Sequence, residues 1–292
     1  MALGSSVVPA RVSAQSSRQQ LATGQNIAPV YEGWEQNSDG SFNLVFGYFN
    51  RNWEEELHLP IGENNTIEPG GPDQGQPTYF YPRRNQFIFR VRVPKDFGKK
   101  ELVWTITSHG KTERAYGTLA PDYFIDDIIL MTNLGAGGQG ASQKDIVGNK
   151  APTLKVEGEK TRSVTVGKPV TLIAYATDDG IPKVKPLPPT PVGQAAGRLA
   201  PDVANGLRLS WFVYRGSGQK VTFEPRQIEE WQDIREGSNS PWSPGWGPPP
   251  VPPDGKWVAK VVFSEPGSYV LRCQAHDGGL FTYQEVTFVV NP

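Results

Sequence analysis

The chain has 292 residues, and its 29 Lys and Arg nearly balance its 30 Asp and Glu, for a net charge of −1. So balanced a surface offers no field to concentrate on a polyanion, which excludes nucleic acid as the favoured partner. The length exceeds one β-sandwich and supports two domains with a core each. Gly (32) and Pro (27) are abundant, but 8 Trp, 10 Tyr and 13 Phe accompany them, so the composition is that of a turn-rich β protein rather than a disordered polymer. One cysteine, Cys273, rules out an intrachain disulfide and a multi-cysteine metal site. No apolar run approaches the roughly 20 residues needed for a membrane span.

At the N-terminus, Val12-Ser13-Ala14 before Gln15 suits a signal-peptidase site, with small residues at the last and third-last positions. The apolar run before it is short and broken by Gly4, Ser5, Ser6 and Pro9. Residues 1–28 are therefore read as the remnant of a signal peptide that starts further upstream, or as a disordered leader, with the mature chain beginning near Gln15.

A first domain is predicted over residues 29–132, with strands at 30–36, 41–50, 55–59, 86–93, 102–108 and 111–117. The alternations Phe42, Leu44, Phe46, Tyr48 and Phe87, Phe89, Val91, Val93 mark two strands with an aromatic inner face, and Trp104 with Ile106 marks a third. Asn37-Ser38-Asp39-Gly40 and Ser108-His109-Gly110-Lys111 carry hairpin-turn chemistry. Residues 123–131 are apolar enough to add a strand or dock a short helix. Gly135-Ala136-Gly137-Gly138-Gln139-Gly140 then places a Gly-rich linker over 133–150. It lacks the strand-to-helix setting and the Lys-Ser/Thr that a phosphate loop requires.

A second domain is predicted over 151–292, with strands at 153–156, 163–166, 170–177, 207–214, 221–223, 257–263, 268–275 and 281–290. Ala151-Pro152, Val170-Thr171-Leu172, Thr177-Asp178-Asp179-Gly180, Leu209-Ser210-Trp211, the run from Pro266 through Tyr269 to Arg272, and Asp277-Gly278-Gly279 resemble the PKD-type extracellular repeats. That resemblance implies an immunoglobulin-like sandwich exposed at a cell surface, not a catalyst. It also implies that Trp211 fills the space between the sheets and that Tyr269 plays the tyrosine-corner role. The departure from the family is a pair of long insertions, residues 181–206 and the Pro-rich 224–255. In the first domain, Tyr31-Glu32-Gly33-Trp34, Phe46-Gly47-Tyr48-Phe49-Asn50-Arg51-Asn52, Gly75-Gln76-Pro77-Thr78 and Pro94-Lys95-Asp96-Phe97-Gly98 resemble a block of secreted bacterial proteins of unassigned function. The fold class expected is thus all-β, two β-sandwich domains.

Four constellations bear on function. Glu54, Glu55 and Glu56 invite a carboxylate pair for glycoside hydrolysis, but no opposing acid can be assigned, and a solvated turn with Arg51 pairing Glu55 is the preferred reading. His58, His109 and His276 have no metal-ligand spacing. Asp178, Asp179 and Asp277 fall in loops at one end of the second sandwich and would supply a calcium ion, although Asp-Gly turn chemistry accounts for them first. Trp231, Trp242, Trp246 and Trp257, interleaved with prolines, are the candidate ligand-binding residues, or else part of a stiff packing strap. Catalytic residues are not assigned, and no cofactor beyond calcium is considered. The reading is a non-enzymatic, secreted or cell-envelope protein for adhesion, surface assembly or carbohydrate binding, with a polysaccharide or a cell-surface protein as partner. A polysaccharide-active enzyme or its accessory subunit is the alternative.

Overall fold

The computed structural model describes residues 21–136, 146–184 and 206–292. The first half contains β1 (Ile27–Gln36), β2 (Phe42–Asn50), β3 (Leu57–His58), β4 (Asn65–Glu68), β5 (Tyr79–Phe80), β6 (Arg83–Val93), β7 (Leu102–Ser108) and β8 (Lys111–Gly117). A short helix, α1 (Asp127–Asn133), precedes β9 (Thr153–Val156), β10 (Thr161–Thr165), β11 (Val170–Thr177) and β12 (Arg208–Arg215). The chain closes with β13 (Val221–Glu224), β14 (Lys256–Phe263), β15 (Gly267–His276) and β16 (Phe281–Asn291).

In the first half, β1, β2 and β6 form one sheet and β4, β7 and β8 another. Alternate side chains of β6 and β7 are buried, as a strand with one inner face requires. Phe46 stacks on Phe89 with centroids 5.4 Å apart, and Trp104 meets Phe89 edge to face at 4.9 Å, the offset and T-shaped geometries that aromatic quadrupoles favour. The β7–β8 turn places His109 at φ 48 and Gly110 at φ 71, the two positive angles of a tight hairpin turn.

Three features of this half differ from the sequence reading. Strands β4 and β5 are too short to show an alternation among the surrounding Pro, Gly and Asn. The strand expected over 55–59 contracts to the two residues of β3. Residues 21–26, assigned to a leader for their polarity, are pinned to the loop after β2. The Leu21 and Ala22 carbonyls accept from the backbone of Trp53, Glu54 and Glu55, and the Asn52 amide bonds the Gln25 backbone in both directions at 2.7 and 2.8 Å. Polarity there reflects hydrogen bonding. The Val12-Ser13-Ala14 site lies outside the described residues.

The second half is an immunoglobulin-like sandwich. One sheet has the order β10-β16-β15-β12 and the other β13-β14-β11-β9, with β10 parallel to β16 and the remaining pairs antiparallel. Trp211 is only 1% exposed and shares the core with Tyr269, Leu271 and Cys273. The Tyr269 hydroxyl donates back to the Glu265 carbonyl at 3.1 Å, the geometry of a tyrosine corner.

The two cores interpenetrate. Tyr79 of β5 is buried in the core of the second sandwich, and Tyr214 of β12 is buried in the core of the first. Around this exchange the Thr78 N–H donates to the Tyr214 carbonyl (3.1 Å) and the Val213 N–H to the Tyr81 hydroxyl (2.9 Å). The Arg215 guanidinium grips Asp73 with two bonds at 2.8 and 3.0 Å. Gly218 is required by this fit, because a Cβ there would stand 2.4 Å from the Tyr79 ring. Arg272, its side chain 3% exposed, lies between the rings of Tyr214 (3.7 Å) and Tyr283 (3.9 Å) and donates to Glu285 and to the Ile88 carbonyl.

Helix α1 seals the junction from another side. The Asp126 carboxylate caps it by accepting the Ile129 N–H at 2.8 Å. Leu130 and Met131 then pack with Val45 and Phe87 of the first half and Leu280 of the second. Of the two outcomes expected for 123–131, the short helix is the main one, with a single bridge between Phe124 and Trp34 beside it. Ala136 and Ile146, at the borders of the Gly-rich segment, join this cluster, and the glycines at 137–140 lie outside the described residues.

Trp211→Ala is expected to cost about 3–5 kcal/mol in a urea titration. Gly218→Ala should cost about 1–3 kcal/mol through overpacking against Tyr79. A double-mutant cycle checks the cause: in a Tyr79→Ala background the same glycine substitution should be nearly neutral, and an undiminished cost would disprove the contact.

Candidate functional site

The insertion between β13 and β14 carries three of the four candidate tryptophans, and β14 carries Trp257. Trp231 stacks on Tyr81 of the first half, with centroids 4.5 Å apart and planes at 16°. The neighbouring Gln232 N–H donates to the Arg84 carbonyl, and Arg235 pairs with Glu54 at 3.5 Å. Trp242, half-buried, lines the same junction cavity as Trp231, together with Phe212, Glu230 and His276. Trp246 donates to the Asn239 carboxamide at 2.9 Å and flanks Arg208. Trp257 packs against the second core and lines a separate groove with Ile228 and Pro249, floored by Trp211. All four rings are half-buried; Trp231 and Trp242 line one cavity, Trp257 lines another and Trp246 lines neither, so they do not form one flat strip.

The insertion also covers the outer edge of β12. Trp211 and Val213 are alternate residues whose N–H groups point away from β15. The Gln227 side-chain oxygen takes the first (2.9 Å) and the Tyr81 hydroxyl the second. Arg208 adds two bonds to Glu230 at 3.0 and 3.1 Å, with both side chains buried. The groove beside Trp257 is built from these same groups: the Gln227 amide nitrogen bonds Pro225, and the Asn239 amide nitrogen bonds the Gln227 carbonyl. Its apolar walls are therefore the surface left for a ligand.

Part of the acidic run serves the junction as well. Residues 53 and 54 form a bend and 55 and 56 no regular element, so strand alternation does not govern them and their carboxylates diverge. Glu54 faces Arg235, Glu55 faces His109 at 3.1 Å, and Glu56 accepts the Tyr79 hydroxyl. Burial pushes the Glu56 carboxyl up from its ordinary value. The expected Arg51–Glu55 pair is not formed, because the bend turns Arg51 toward Glu113, 3.5 Å away. Three carboxylates committed to three partners do not make the facing pair that glycoside hydrolysis uses.

The aspartates behave differently. Asp178 follows β11 and Asp277 follows β15, and the two lie close enough for the charge of Asp178 to raise the pKa of Asp277. Asp277 is 0% exposed; one carboxyl oxygen accepts the N–H groups of Gly279 and Leu280. Burial pushes it up to about 6 against the pull of the Leu280 and Gly279 N–H groups and of the Asn149 side chain, and the charge of Asp178 adds the smallest push. Asp179 is occupied elsewhere, capping the N–H groups of Lys150 (3.1 Å) and Ile181 (3.0 Å). Asn149 stands beside Asp277 instead, a residue whose place in a Gly-rich stretch concealed it. Among the described residues no group of three or more His, Cys, Asp or Glu side chains is placed to hold a metal ion. His276 is buried, its Nδ1 accepts the Gly278 N–H at 2.8 Å, and burial together with Arg208 holds its pKa well below the ordinary value.

No family model matches the chain, and no curated protein matches it. Among solved structures it is similar to domains 4 and 5 of the S-layer protein SbsC, at 9% identity and a TM-score of 0.24, over 66% of each chain. It is similar to immunoglobulin domains 1–4 of Sidekick-1, at 12% identity and a TM-score of 0.25, over 91% of this chain and 48% of that one. A chimeric titin Z1Z2 tandem aligns at 10% identity and a TM-score of 0.24, over 88% and 93%. The immunoglobulin-like assignment rests on the strand order described above. Among the described residues no helix is long and apolar enough to cross a membrane.

In metal-chelated buffer Asp277 should leave a defined pH signature. Its folded pKa of about 6 exceeds the ordinary 3.8, so the unfolded chain loses the proton first. Stability is then expected to fall as pH rises through that window and to level off above it. Asp277→Asn keeps an acceptor for the Gly279 and Leu280 N–H groups and should flatten this fall and stabilise the protein at pH 7. Urea titrations across the window check it, and an unchanged slope in the variant would assign the effect to other groups.

Proposed function

We propose that this chain is a rigid, non-enzymatic module of a secreted or cell-envelope protein, acting in adhesion or surface assembly, with a polysaccharide or another surface protein as its partner. The observation that carries the reading is the junction. Tyr79 and Tyr214 are exchanged between cores, Arg272 is clamped between two tyrosine rings, and the insertion is stacked on Tyr81. Such a joint holds two sandwiches at one angle, which suits a spacer that presents a surface at a set distance. Of the acidic run considered for hydrolysis, Glu54 and Glu56 are spent on the same joint and Glu55 on His109. The PKD-type likeness of the second half supports a location outside the cytoplasm, and the groove beside Trp257, with its apolar walls, is the place for a sugar ring or a proline-rich segment.

Small-angle scattering and a glycan array test this reading, with reducing-end release measured on each bound polysaccharide. One fixed particle shape, glycan binding weakened about tenfold or more by Trp257→Ala, and no released ends are expected. A scattering profile that requires an ensemble of shapes would remove the rigid joint, and turnover of any polysaccharide would replace the module with an enzyme.

A further inference from the structure

We propose that Asn149, Asp178 and Asp277 form a site for a hard divalent cation of the calcium type at the end of the second sandwich nearest α1. The geometry rests on three oxygen atoms. One side-chain oxygen of each residue is shielded from solvent, and none of the three has a hydrogen-bond partner. Asp277 is 0% exposed and Asn149 9%. Leaving a buried acceptor unpaired costs a folded protein free energy, and these three sit on turns that the Lys150 N–H bond to Asp179 and the contact of Asn149 with Gly279 bring side by side.

The rest of each side chain is held so that only that oxygen is free. The second oxygen of Asp178 accepts the Gly180 N–H at 2.8 Å, and that of Asp277 accepts Gly279 and Leu280. The Asn149 amide nitrogen donates to the Met131 sulfur at 3.3 Å. Asn149 approaches Asp277 through Gly279, where a Cβ would stand 3.0 Å from the amide nitrogen. Two carboxylates and a carboxamide are an all-oxygen donor set, which suits calcium or magnesium over zinc or copper. Donors drawn from three separate turns suit the variable, roughly six to eight ligands of calcium better than the strict octahedron of magnesium. A doubly charged cation would also neutralise the two carboxylates that now repel one another.

The site joins three segments. Asn149 follows Ile146, which packs with α1 and Leu280; Asp178 follows β11; and Asp277 begins the β15–β16 loop. A bound ion would therefore fasten the segment behind α1 to the second sandwich. Both the site and its test are independent of the partner proposed above.

The test uses the full chain, stripped with chelator and titrated with calcium chloride by calorimetry and thermal denaturation. One saturable site with a Kd on the order of 0.1–1 mM, the range of extracellular calcium modules, and a Tm that climbs with calcium are expected. Asp277→Asn and Asn149→Ala should each weaken binding about tenfold or more while keeping a folded circular dichroism spectrum without metal. No heat and no Tm shift up to about 10 mM calcium would overturn the site, as would variants that bind like the parent. Magnesium competing at equal concentration would overturn the calcium assignment.

Discussion

The structure depends on how the outer edge of β12 is satisfied. An immunoglobulin-like sheet ends in a strand with one row of backbone groups unpaired, and an unpaired row is either a template for another chain or a loss of stability. Here no further strand is added. The edge is closed by a tyrosine hydroxyl and a backbone N–H from the first half, and by a glutamine from the insertion. Once Tyr81 must reach Val213, the neighbouring Tyr79 and Tyr214 are carried past one another into the opposite cores. Gly218, Arg215 and Asp73 then arrange themselves around that crossing.

Two arginines make the crossing durable. A buried guanidinium is tolerable only when its charge is shared and its donors are used, and its planar, weakly hydrated form suits a slot between rings. Arg272 meets both conditions with two tyrosine faces, a carboxylate and a main-chain carbonyl. Arg208 does so against Glu230, which fastens the root of the insertion to the strand it protects. A lysine in either place would keep the charge and lose the plane.

Much of the fold was legible because burial in a sandwich imposes a period of two. The strands of the second half agree with the alternation to within about two residues at each end, the usual uncertainty of such boundaries. Trp211 and Tyr269 occupy the positions that the PKD-type resemblance implied. What could not be read is what depends on contacts distant in sequence. Leu21 to Asn26 look like a loose leader until Asn52 is seen beside them. The acidic run looks solvated until Tyr79 and Arg235 arrive. The candidate tryptophans were found by composition, but composition does not say which ring faces Tyr81 and which the second core. Asn149 carries no pattern of its own, so only its unpaired oxygen marks it.

The crossed tyrosines also bear on inheritance. Sandwich domains are commonly shuffled between proteins as self-contained cassettes, because each can be cut out at a linker without leaving a gap. These two halves cannot be exchanged that way: a recombination event between α1 and β9 would part Tyr79 from its socket and strip the cover from β12. A second copy of the pair, rather than of either half, is therefore what duplication could usefully produce.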